Sequence, residues 1–443
     1  MKYYSTNRQA PEASLQEAVE RGLAPDRGLY MPQNIKKLPV GFFENIDKLT
    51  FRQIAFEVAK AFFGEDVEAE ALKRIVEDTL SFDTPTVKVE GNIYTLELFH
   101  GPTLAFKDVG ARFMARLLQY FINKDKNSTG LVNVLVATSG DTGSAVANGF
   151  LGVDGIHVYV LYPKGKVSAI QESQFTTLGR NITAIEVDGV FDDCQALVKN
   201  AFMDQQLNEH MRLTSANSIN VARFLPQAFY YFNAFAQLKR AGIIDYDAEN
   251  GTSNLVFSVP SGNFGNITAG LFGWKMGLPV KHFIAANNAN DIFFQYLQTG
   301  KYNPQPSKQT LANAMDVGDP SNFARILDLY GSDWTQIRTD ISGATYSDAD
   351  IRETMKACHT ATDYILDPHG ACGYQALKDL LAPGDLGVFL ETAHPAKFKE
   401  KVDSIIDEDI EIPQRLQNFM AGTKQSIPLS KDFAAFKQFL IQQ

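Results

Sequence analysis

The chain has 443 residues, of which 45% are hydrophobic and 21% charged, and its formal net charge is -10. This length supports two or three domains around a large buried core, and the composition excludes a disordered or fibrous protein. The negative charge argues against nucleic acid as a partner. It does not exclude an anionic small molecule, because a cleft can set a local potential opposite to that of the whole molecule.

The three cysteines, Cys194, Cys358 and Cys372, are widely spaced and odd in number. This pattern favours neither a disulfide framework nor a zinc cluster, and it is typical of a reducing compartment. The first residues contain no apolar core of signal-peptide length, and no stretch of about 18 apolar residues follows. We therefore expect a cytoplasmic protein with no membrane partner.

The first hundred residues predict a small, mainly helical domain. Capping-box patterns at residues 14–17 and 50–53 each open an apolar helical rhythm that ends at a glycine, Gly22 or Gly64. We predict a third helix over residues 67–80, and a hairpin from residues 86–90 and 93–99. The predicted domain covers residues 1–98.

After Lys107 the pattern changes to helices alternating with short apolar strands and glycine loops. The strands are predicted at residues 131–136, 156–161, 182–187, 255–259, 280–284 and 386–390. This alternation is typical of an α/β fold with mostly parallel, doubly wound sheets, which we predict over residues 99–443. Residues 301–320, rich in Pro, Asn, Gln and Ser, predict a long surface connection or a mobile lid.

Lys107 lies in an apolar, turn-rich run that extends from His100 to Asp108. Neighbours such as Phe106 would desolvate its amine, and the neutral amine can condense with an aldehyde such as that of pyridoxal phosphate. The alternative is a solvated lysine that opens a helix.

A glycine-rich loop follows the strand predicted at residues 255–259 and precedes a helix. It consists of Ser261, Gly262, Asn263, Phe264, Gly265 and Asn266. Glycines let the backbone close tightly, and successive amides at a helix N-terminus attract a phosphate. The alternative is a tight turn from strand to helix.

A second loop occupies the same position after the strand predicted at residues 131–136. It contains Thr138, Ser139, Gly140, Asp141 and Thr142. Hydroxyls and free amides at a helix start suit a carboxylate, while Asp141 repels one unless it faces another group. Any one of Ser139, Asp141 and Thr142 is equally typical of a helix cap.

A third motif contains Asn217, Ser218 and Arg223 at the start of another helix. Arg223 lies about a turn and a half beyond Asn217, and an arginine fork beside amide and hydroxyl donors suits a second phosphate. The alternative is a capped amphipathic helix with one surface arginine.

The chain resembles the threonine synthases over nearly its whole length. The resemblance rests on the motifs above, on the segments around Tyr3 and Asp26, and on the segment Glu391-Thr392-Ala393-His394. The threonine synthases are pyridoxal-phosphate enzymes related to the tryptophan synthase beta chain and to serine dehydratase. The resemblance implies fold type II, with the cofactor between two subdomains of residues 99–443.

The resemblance also implies a role for each motif residue. Lys107 would hold pyridoxal 5'-phosphate covalently, the loop of Ser261 to Asn266 would bind its phosphate, and Thr392 would offer its hydroxyl to the pyridine nitrogen. The substrate carboxylate would be received by Thr138, Ser139, Gly140, Asp141 and Thr142, and the substrate phosphate by Asn217, Ser218 and Arg223. Many relatives carry asparagine beside the cofactor's phenolic oxygen, so Asp141 leaves the protonation of that oxygen open.

The implied reaction converts O-phospho-L-homoserine and water to L-threonine and phosphate, in a monomer or homodimer. One alternative is a pyridoxal-phosphate dehydratase or beta-replacement enzyme, which needs no second phosphate site. Another is a non-catalytic sensor of a phosphorylated ligand. His369 and His394 are more typical of hydrogen-bonding or helix-entry positions than of acid-base groups.

Overall fold

The computed structural model describes residues 1–124 and 130–443, and its helices and strands alternate along most of the chain. The strands are β1 Lys2–Ser5, β2 Ala13–Ser14, β3 Tyr30–Pro32, β4 Thr86–Glu90, β5 Ile93–Glu97, β6 Val132–Ala137, β7 Ile156–Pro163, β8 Ile182–Asp188, β9 Arg212–Ser215, β10 Tyr246–Asp247, β11 Thr252–Ser253, β12 Leu255–Pro260, β13 His282–Asn287, β14 Ile341–Thr345, β15 Leu386–Glu391 and β16 Ile427–Ser430.

The helices are α1 Leu15–Arg21, α2 Val40–Asn45, α3 Phe51–Phe63, α4 Ala69–Thr79, α5 Lys107–Lys124, α6 Asp141–Phe150, α7 Ala169–Thr176, α8 Phe191–Met203, α9 Gln205–His210, α10 Val221–Phe224, α11 Ala228–Arg240, α12 Gly265–Lys275, α13 Ile292–Thr299, α14 Phe323–Leu329, α15 Trp334–Asp340, α16 Asp348–Thr362, α17 Pro368–Leu380, α18 Lys399–Ile406, α19 Gln414–Met420 and α20 Phe433–Ile441. Short 3-10 turns lie at Ile46–Lys48, Leu225–Gln227, Asn313–Met315 and Pro395–Phe398.

The chain forms two compact units. Unit 1 comprises Met1 with residues 32–106 and 224–411, and unit 2 comprises residues 2–31, 107–223 and 412–443. This division differs from the predicted boundary between residues 98 and 99, since residues 2–31 and 32–106 belong to different units. A separately folding domain over residues 1–98 stays a prediction.

Unit 1 contains a six-stranded sheet in the order β14-β13-β12-β15-β5-β4. All its neighbouring strands are parallel except β4 and β5, which form an antiparallel hairpin. Parallel strands end at one edge, so the loop after β12 and the segment after β15 emerge from neighbouring positions. Binding residues of open α/β sheets gather at this edge.

Unit 2 contains a five-stranded sheet in the order β16-β8-β7-β6-β9, and all its strand pairs are parallel. Strand β6 lies between β7 and β9, with Val132 beside both Ile156 and Arg212. The loop after β6 and the segment after β9 therefore leave the sheet side by side.

The predicted α/β class with mostly parallel sheets is confirmed, and so are both capping boxes. Ser14 and Glu17 cap α1 reciprocally, and Thr50 and Gln53 cap α3 in the same way. The strand predicted at residues 280–284 is present but begins two residues later, since β13 spans His282–Asn287. Its first two residues lead into the strand after the turn that ends α12.

The predicted surface connection at residues 301–320 is correct only for its first part. Residues 301–309 are mostly exposed and have no regular structure, whereas Thr310, Leu311, Ala312, Met315 and Val317 are buried. The three cysteines are free and buried. Within the described ranges, no helix is long and apolar enough to cross a membrane.

Candidate active site

The segment that leads to Lys107 is fixed against the segment that follows β15. The backbone N–H of Phe106 donates to the carbonyl of Thr392 at 2.9 Å, and that of His394 donates to the carbonyl of Leu104 at 3.0 Å. Ala105 and Ala393 form an antiparallel bridge between these bonds. Unit 1 therefore holds the residue before the lysine beside Thr392, and Lys107 itself begins α5 and is half-buried.

This segment carries backbone strain just before the lysine. Leu104 has a φ of 58°, which is uncommon for a residue other than glycine, and its side chain is 4% exposed. The buried ammonium of Lys397 donates to the carbonyl of Thr103 at 2.9 Å. Strain that the surrounding structure maintains is typical of functional sites.

The loop after β12 is held on both sides by backbone contacts. The N–H of Ser261 donates to Ala286, and the amide of Asn287 donates back to the carbonyl of Ser261. The carbonyl and side-chain oxygens of Asn263 accept from Asn322 and Ser321. These contacts fix the shape of the loop.

Phe264 gives this loop the form of an anion cradle. It has a φ of 64° and precedes the first residue of α12, whose N-terminal amides point toward the loop. The helix N-terminus adds a partial positive charge. A phosphate fits these donors.

Asn266 supplies a further donor, and its orientation is fixed by two tyrosines. Its side-chain oxygen accepts the hydroxyls of Tyr230 at 2.7 Å and Tyr231 at 2.8 Å. Its Nδ2 is buried and has no hydrogen-bond partner among the residues that the structure describes. A buried donor without a partner is costly, so it indicates a ligand acceptor at this position. The loop therefore fits the phosphate of a pyridoxal cofactor.

Tyr230 and Tyr231 belong to an aromatic stripe on α11 that lies in the core, and both are 0% exposed. Sequence reasoning missed that their hydroxyls orient Asn266. Burial also raises the pKa of Tyr231 well above its usual value, so this hydroxyl remains a neutral donor. No periodicity in the sequence separates such a tyrosine from a phenylalanine.

In unit 2, the side chain of Thr138 holds the loop after β6 through hydrogen bonds to its backbone. Its Oγ1 accepts the N–H groups of Gly140 at 2.9 Å and Gly143 at 2.8 Å, and the residue is 0% exposed. The contact holds the amides at the start of α6 in a fixed turn. Ser139 and Thr142 are partly exposed on the same turn.

Asp141 is the first residue of α6 and is 3% exposed. Its Oδ1 accepts the side-chain amide of Gln171 at 2.9 Å. Gly140 has a φ of 140°, and a Cβ atom there would lie 2.6 Å from the amide of Gln171. The glycine therefore makes room for a glutamine that sequence reasoning missed, because Gln171 lies on a different helix.

The third motif adjoins the second loop. The side-chain amide of Asn217 exchanges hydrogen bonds with the backbone of Ala137, as donor to its carbonyl at 3.0 Å and as acceptor of its N–H at 3.4 Å. Ser218 follows on the same turn and is partly exposed. Unit 2 therefore brings the second loop and the third motif together.

Arg223 is not the surface residue of the alternative interpretation, because it is only 1% exposed. Its Nε donates to the carbonyl of Ala216 at 2.8 Å. A Cβ atom at Gly110 would lie 2.1 Å from the Arg223 carbonyl oxygen and 2.5 Å from its Nη1. Gly110 lies three residues after Lys107, on the same face of α5.

Comparison with known proteins agrees with this geometry. Residues 79–388 match the family of pyridoxal-phosphate dependent enzymes, residues 2–80 match the threonine synthase N terminus, and residues 370–440 match the threonine synthase C-terminal region. The threonine synthase of Escherichia coli strain K12 is 42% identical over 441 residues, which cover 100% of this chain and 99% of that protein. The chain belongs to the threonine synthase family.

Two solved structures of family members support the assignment. The crystal structure of threonine synthase from Escherichia coli matches with a TM-score of 0.92 and 41% identity, covering 100% of both chains. Pyridoxal-phosphate-bound threonine synthase from Brucella melitensis matches with a TM-score of 0.90 and 32% identity, covering 100% of this chain and 99% of that one. The predicted threonine synthase resemblance, fold type II and pyridoxal 5'-phosphate cofactor are thereby confirmed.

The remaining expectations stay predictions: the individual roles of the site residues, the cytoplasmic location, the monomer or homodimer, and the absence of a nucleic-acid partner. In unit 1 the structure groups the loop after β12 with Asn322, and Phe106 with Thr392. In unit 2 it groups the second loop with Asn217.

Proposed function

We propose that this threonine synthase family member converts O-phospho-L-homoserine and water to L-threonine and orthophosphate. The observation that carries the assignment of residues is the hydrogen bond from Phe106 to Thr392. It fixes the residue before the proposed nucleophile, Lys107, beside the residue proposed to face the pyridine nitrogen. In this proposal, two chain segments almost 300 positions apart contribute residues to one cofactor site.

When bound, pyridoxal phosphate supplies an electron sink for charge that develops on the substrate carbons. Lys107 would hold the cofactor aldehyde, and its amine would move protons at the alpha and beta carbons of the substrate. Thr392 would offer its hydroxyl to the pyridine nitrogen. Residues Ser261 to Asn266 bind the cofactor phosphate through the amides at the start of α12.

The substrate has two anionic ends, and each would be bound by one of the two neighbouring motifs of unit 2. The carboxylate end would be received by the amides and hydroxyls of the second loop, which consists of Thr138, Ser139, Gly140, Asp141 and Thr142. Asp141 would also border the phenolic oxygen of the cofactor. Asn217, Ser218 and Arg223 bind the phosphate, and Arg223 stabilises its negative charge as it departs from the gamma carbon.

Reduction of the holoenzyme with borohydride, followed by peptide mass spectrometry, tests the attachment. We expect the cofactor adduct at Lys107, and Lys107→Ala should show none. An adduct on another lysine would contradict the proposal.

The phosphate assignment separates this function from a dehydratase or beta-replacement activity. We expect Arg223→Ala to lower kcat/KM for O-phosphohomoserine about 10- to 100-fold, as for loss of a charged hydrogen bond, with unchanged cofactor absorbance. Arg212→Ala is the matched control, because this arginine pairs with Glu20 at 3.1 Å and has no proposed role. Equal phosphate release by Arg223→Ala and wild type would favour the rival function.

A further inference from the structure

His369 is a buried residue that the proposed reaction does not use. It lies in the first turn of α17 and is 2% exposed. Its Nε2 accepts the backbone N–H of Ala314 at 3.1 Å, and its Nδ1 lies 2.5 Å from Oδ1 of Asp367. Since Nε2 accepts, Nδ1 carries the proton and donates to Asp367. The hydrogen-bonding role predicted for this histidine is confirmed.

Ala314 belongs to the 3-10 turn Asn313–Met315, and the cofactor-phosphate loop packs directly on this turn. A Cβ atom at Gly262 would lie 2.6 Å from Cα of Met315 and 3.1 Å from the carbonyl oxygen of Ala314. The contact joins backbone to backbone. Any displacement of the turn therefore changes the space available to Gly262.

Asp316 anchors the far end of the same turn. Its carboxylate accepts the N–H of Thr310 at 3.0 Å, the Thr310 hydroxyl at 2.7 Å and the side-chain amide of Asn288 at 2.9 Å. Asp316 thus fixes where the turn ends, and His369 fixes its middle residue. The two sets of contacts are made by different residues and by different atoms of the turn.

On its other side, His369 is connected to the end of β15. The backbone N–H of Asp367 donates to Oε1 of Glu391 at 2.5 Å, and Glu391 is 0% exposed. Burial and the nearby Asp367 raise the pKa of Glu391 well above its usual value. We call Glu391, Asp367 and His369 the buried strut. The buried strut connects Glu391, which precedes Thr392, to the 3-10 turn on which Gly262 packs.

We propose that His369 is a positioning residue for the cofactor phosphate, because its hydrogen bond with Ala314 fixes the turn on which the phosphate loop packs. The inference rests on the proposed function, because it takes the loop of Ser261 to Asn266 as the phosphate site. It adds a residue that touches neither cofactor nor substrate. Its effect should be seen in cofactor affinity, and specifically in the part that the phosphate contributes.

The test compares pyridoxal phosphate with pyridoxal, which lacks the phosphate, in titrations of the apoprotein followed by absorbance. His369→Asn keeps a donor near Nδ1 but removes the acceptor at Nε2. We expect it to lower the ratio of the two affinities about tenfold, the size expected for one lost buried hydrogen bond. His369→Gln places an oxygen near Nε2 and should keep the ratio within about threefold of wild type.

The control is His282→Gln. This residue lies at the opposite end of β13 from the loop, where its Nε2 contacts the hydroxyl of Ser342 at 2.6 Å, and the ratio should not change. An unchanged ratio in His369→Asn, or equal weakening of both ligands, would overturn the inference. If His369→Asn does not fold, a tenfold loss of the ratio in His369→Gln would overturn it. Equal affinities in the wild type would instead refute the phosphate site itself.

Discussion

The side-chain amide of Gln171 donates to the carboxylate of Asp141 at 2.9 Å, and both residues are buried. The helix that carries Gln171 is separated from the Asp141 loop by strand β7 in the sequence. The contact fixes one oxygen of the carboxylate that is proposed to border the phenolic oxygen of the cofactor.

Replacement of Gln171 by leucine tests this contact. The change removes the donor, so we expect kcat/KM to fall about tenfold, and stability to fall by about 1–3 kcal/mol because a buried acceptor loses a partner. The measurements are steady-state phosphate release and urea unfolding. Gln237→Leu is the control, because Gln237 bonds to the backbone of Thr84 and Thr86 in unit 1 and should affect stability alone.

Gly110 is predicted to be essential for the placement of Arg223. An alanine Cβ would lie 2.1 Å from the Arg223 carbonyl oxygen, and a backbone atom cannot move aside cheaply. We expect Gly110→Ala to destabilise the protein by about 1–3 kcal/mol and to raise KM for the phosphorylated substrate more than it lowers cofactor affinity.

The control for Gly110 is Gly41, which is also helical. No described atom lies within 4 Å of a Cβ placed there. Gly41→Ala should therefore be neutral or stabilise the protein by about 0.5–1 kcal/mol, because alanine is the better helix former. If Gly110→Ala behaved like Gly41→Ala in thermal unfolding and in KM, the packing argument would be wrong.

The sequence predicted those parts of the fold whose signals are local. The capping boxes at Ser14 and Thr50 and most strands of the two parallel sheets were predictable because caps and apolar runs depend on neighbouring residues. Strands β9, β14 and β16 of these sheets were missed: they are short, and β14 reads Ile-Ser-Gly-Ala-Thr, with only two clearly apolar residues. Their pairing depends on distant strands.

The candidate site was likewise predictable from the sequence only in its local parts. Its loops were found because glycine, hydroxyl and amide residues follow apolar strands. The residues that support the loops were not predicted to do so, because Gln171, Tyr231 and His369 act through contacts between elements distant in sequence. A glutamine on a helix or a tyrosine in an aromatic stripe has no local mark of such a contact.

The Nδ2 donor of Asn266, which has no partner in the described part of the chain, leads to a test by introduction of a negative charge. Asn266→Asp keeps an oxygen for Tyr230 and Tyr231 but replaces the donor with an anionic oxygen. We expect the affinity for pyridoxal phosphate to fall at least about tenfold, while that for pyridoxal changes little, because only the phosphate is repelled. Asn233→Asp is the control: it is also a buried asparagine of unit 1, and it contacts Asp83 and Thr84. It should lower stability without changing the ratio.

His394 should make the protein sensitive to acid. Burial lowers the pKa of this imidazole to about 4, and its Nδ1 accepts the N–H of Ala396 at 3.1 Å. An unfolded histidine has a pKa of about 6.5, so the unfolded chain binds the proton more readily. Stability is therefore fully present above about pH 6.5 and is lost as the pH falls toward 4.

The expected loss is about 3.5 kcal/mol at most, from about 2.5 pKa units at about 1.4 kcal/mol each. His394→Asn keeps an acceptor for Ala396 but cannot be protonated in this range. Urea unfolding of the holoprotein between pH 7 and 4.5 should therefore show a shallower decline for this variant than for wild type. His210→Asn, at an exposed position, should follow the wild type. Parallel curves for His394→Asn and wild type would place the acid sensitivity elsewhere, since the buried neutral imidazole would then contribute nothing to it.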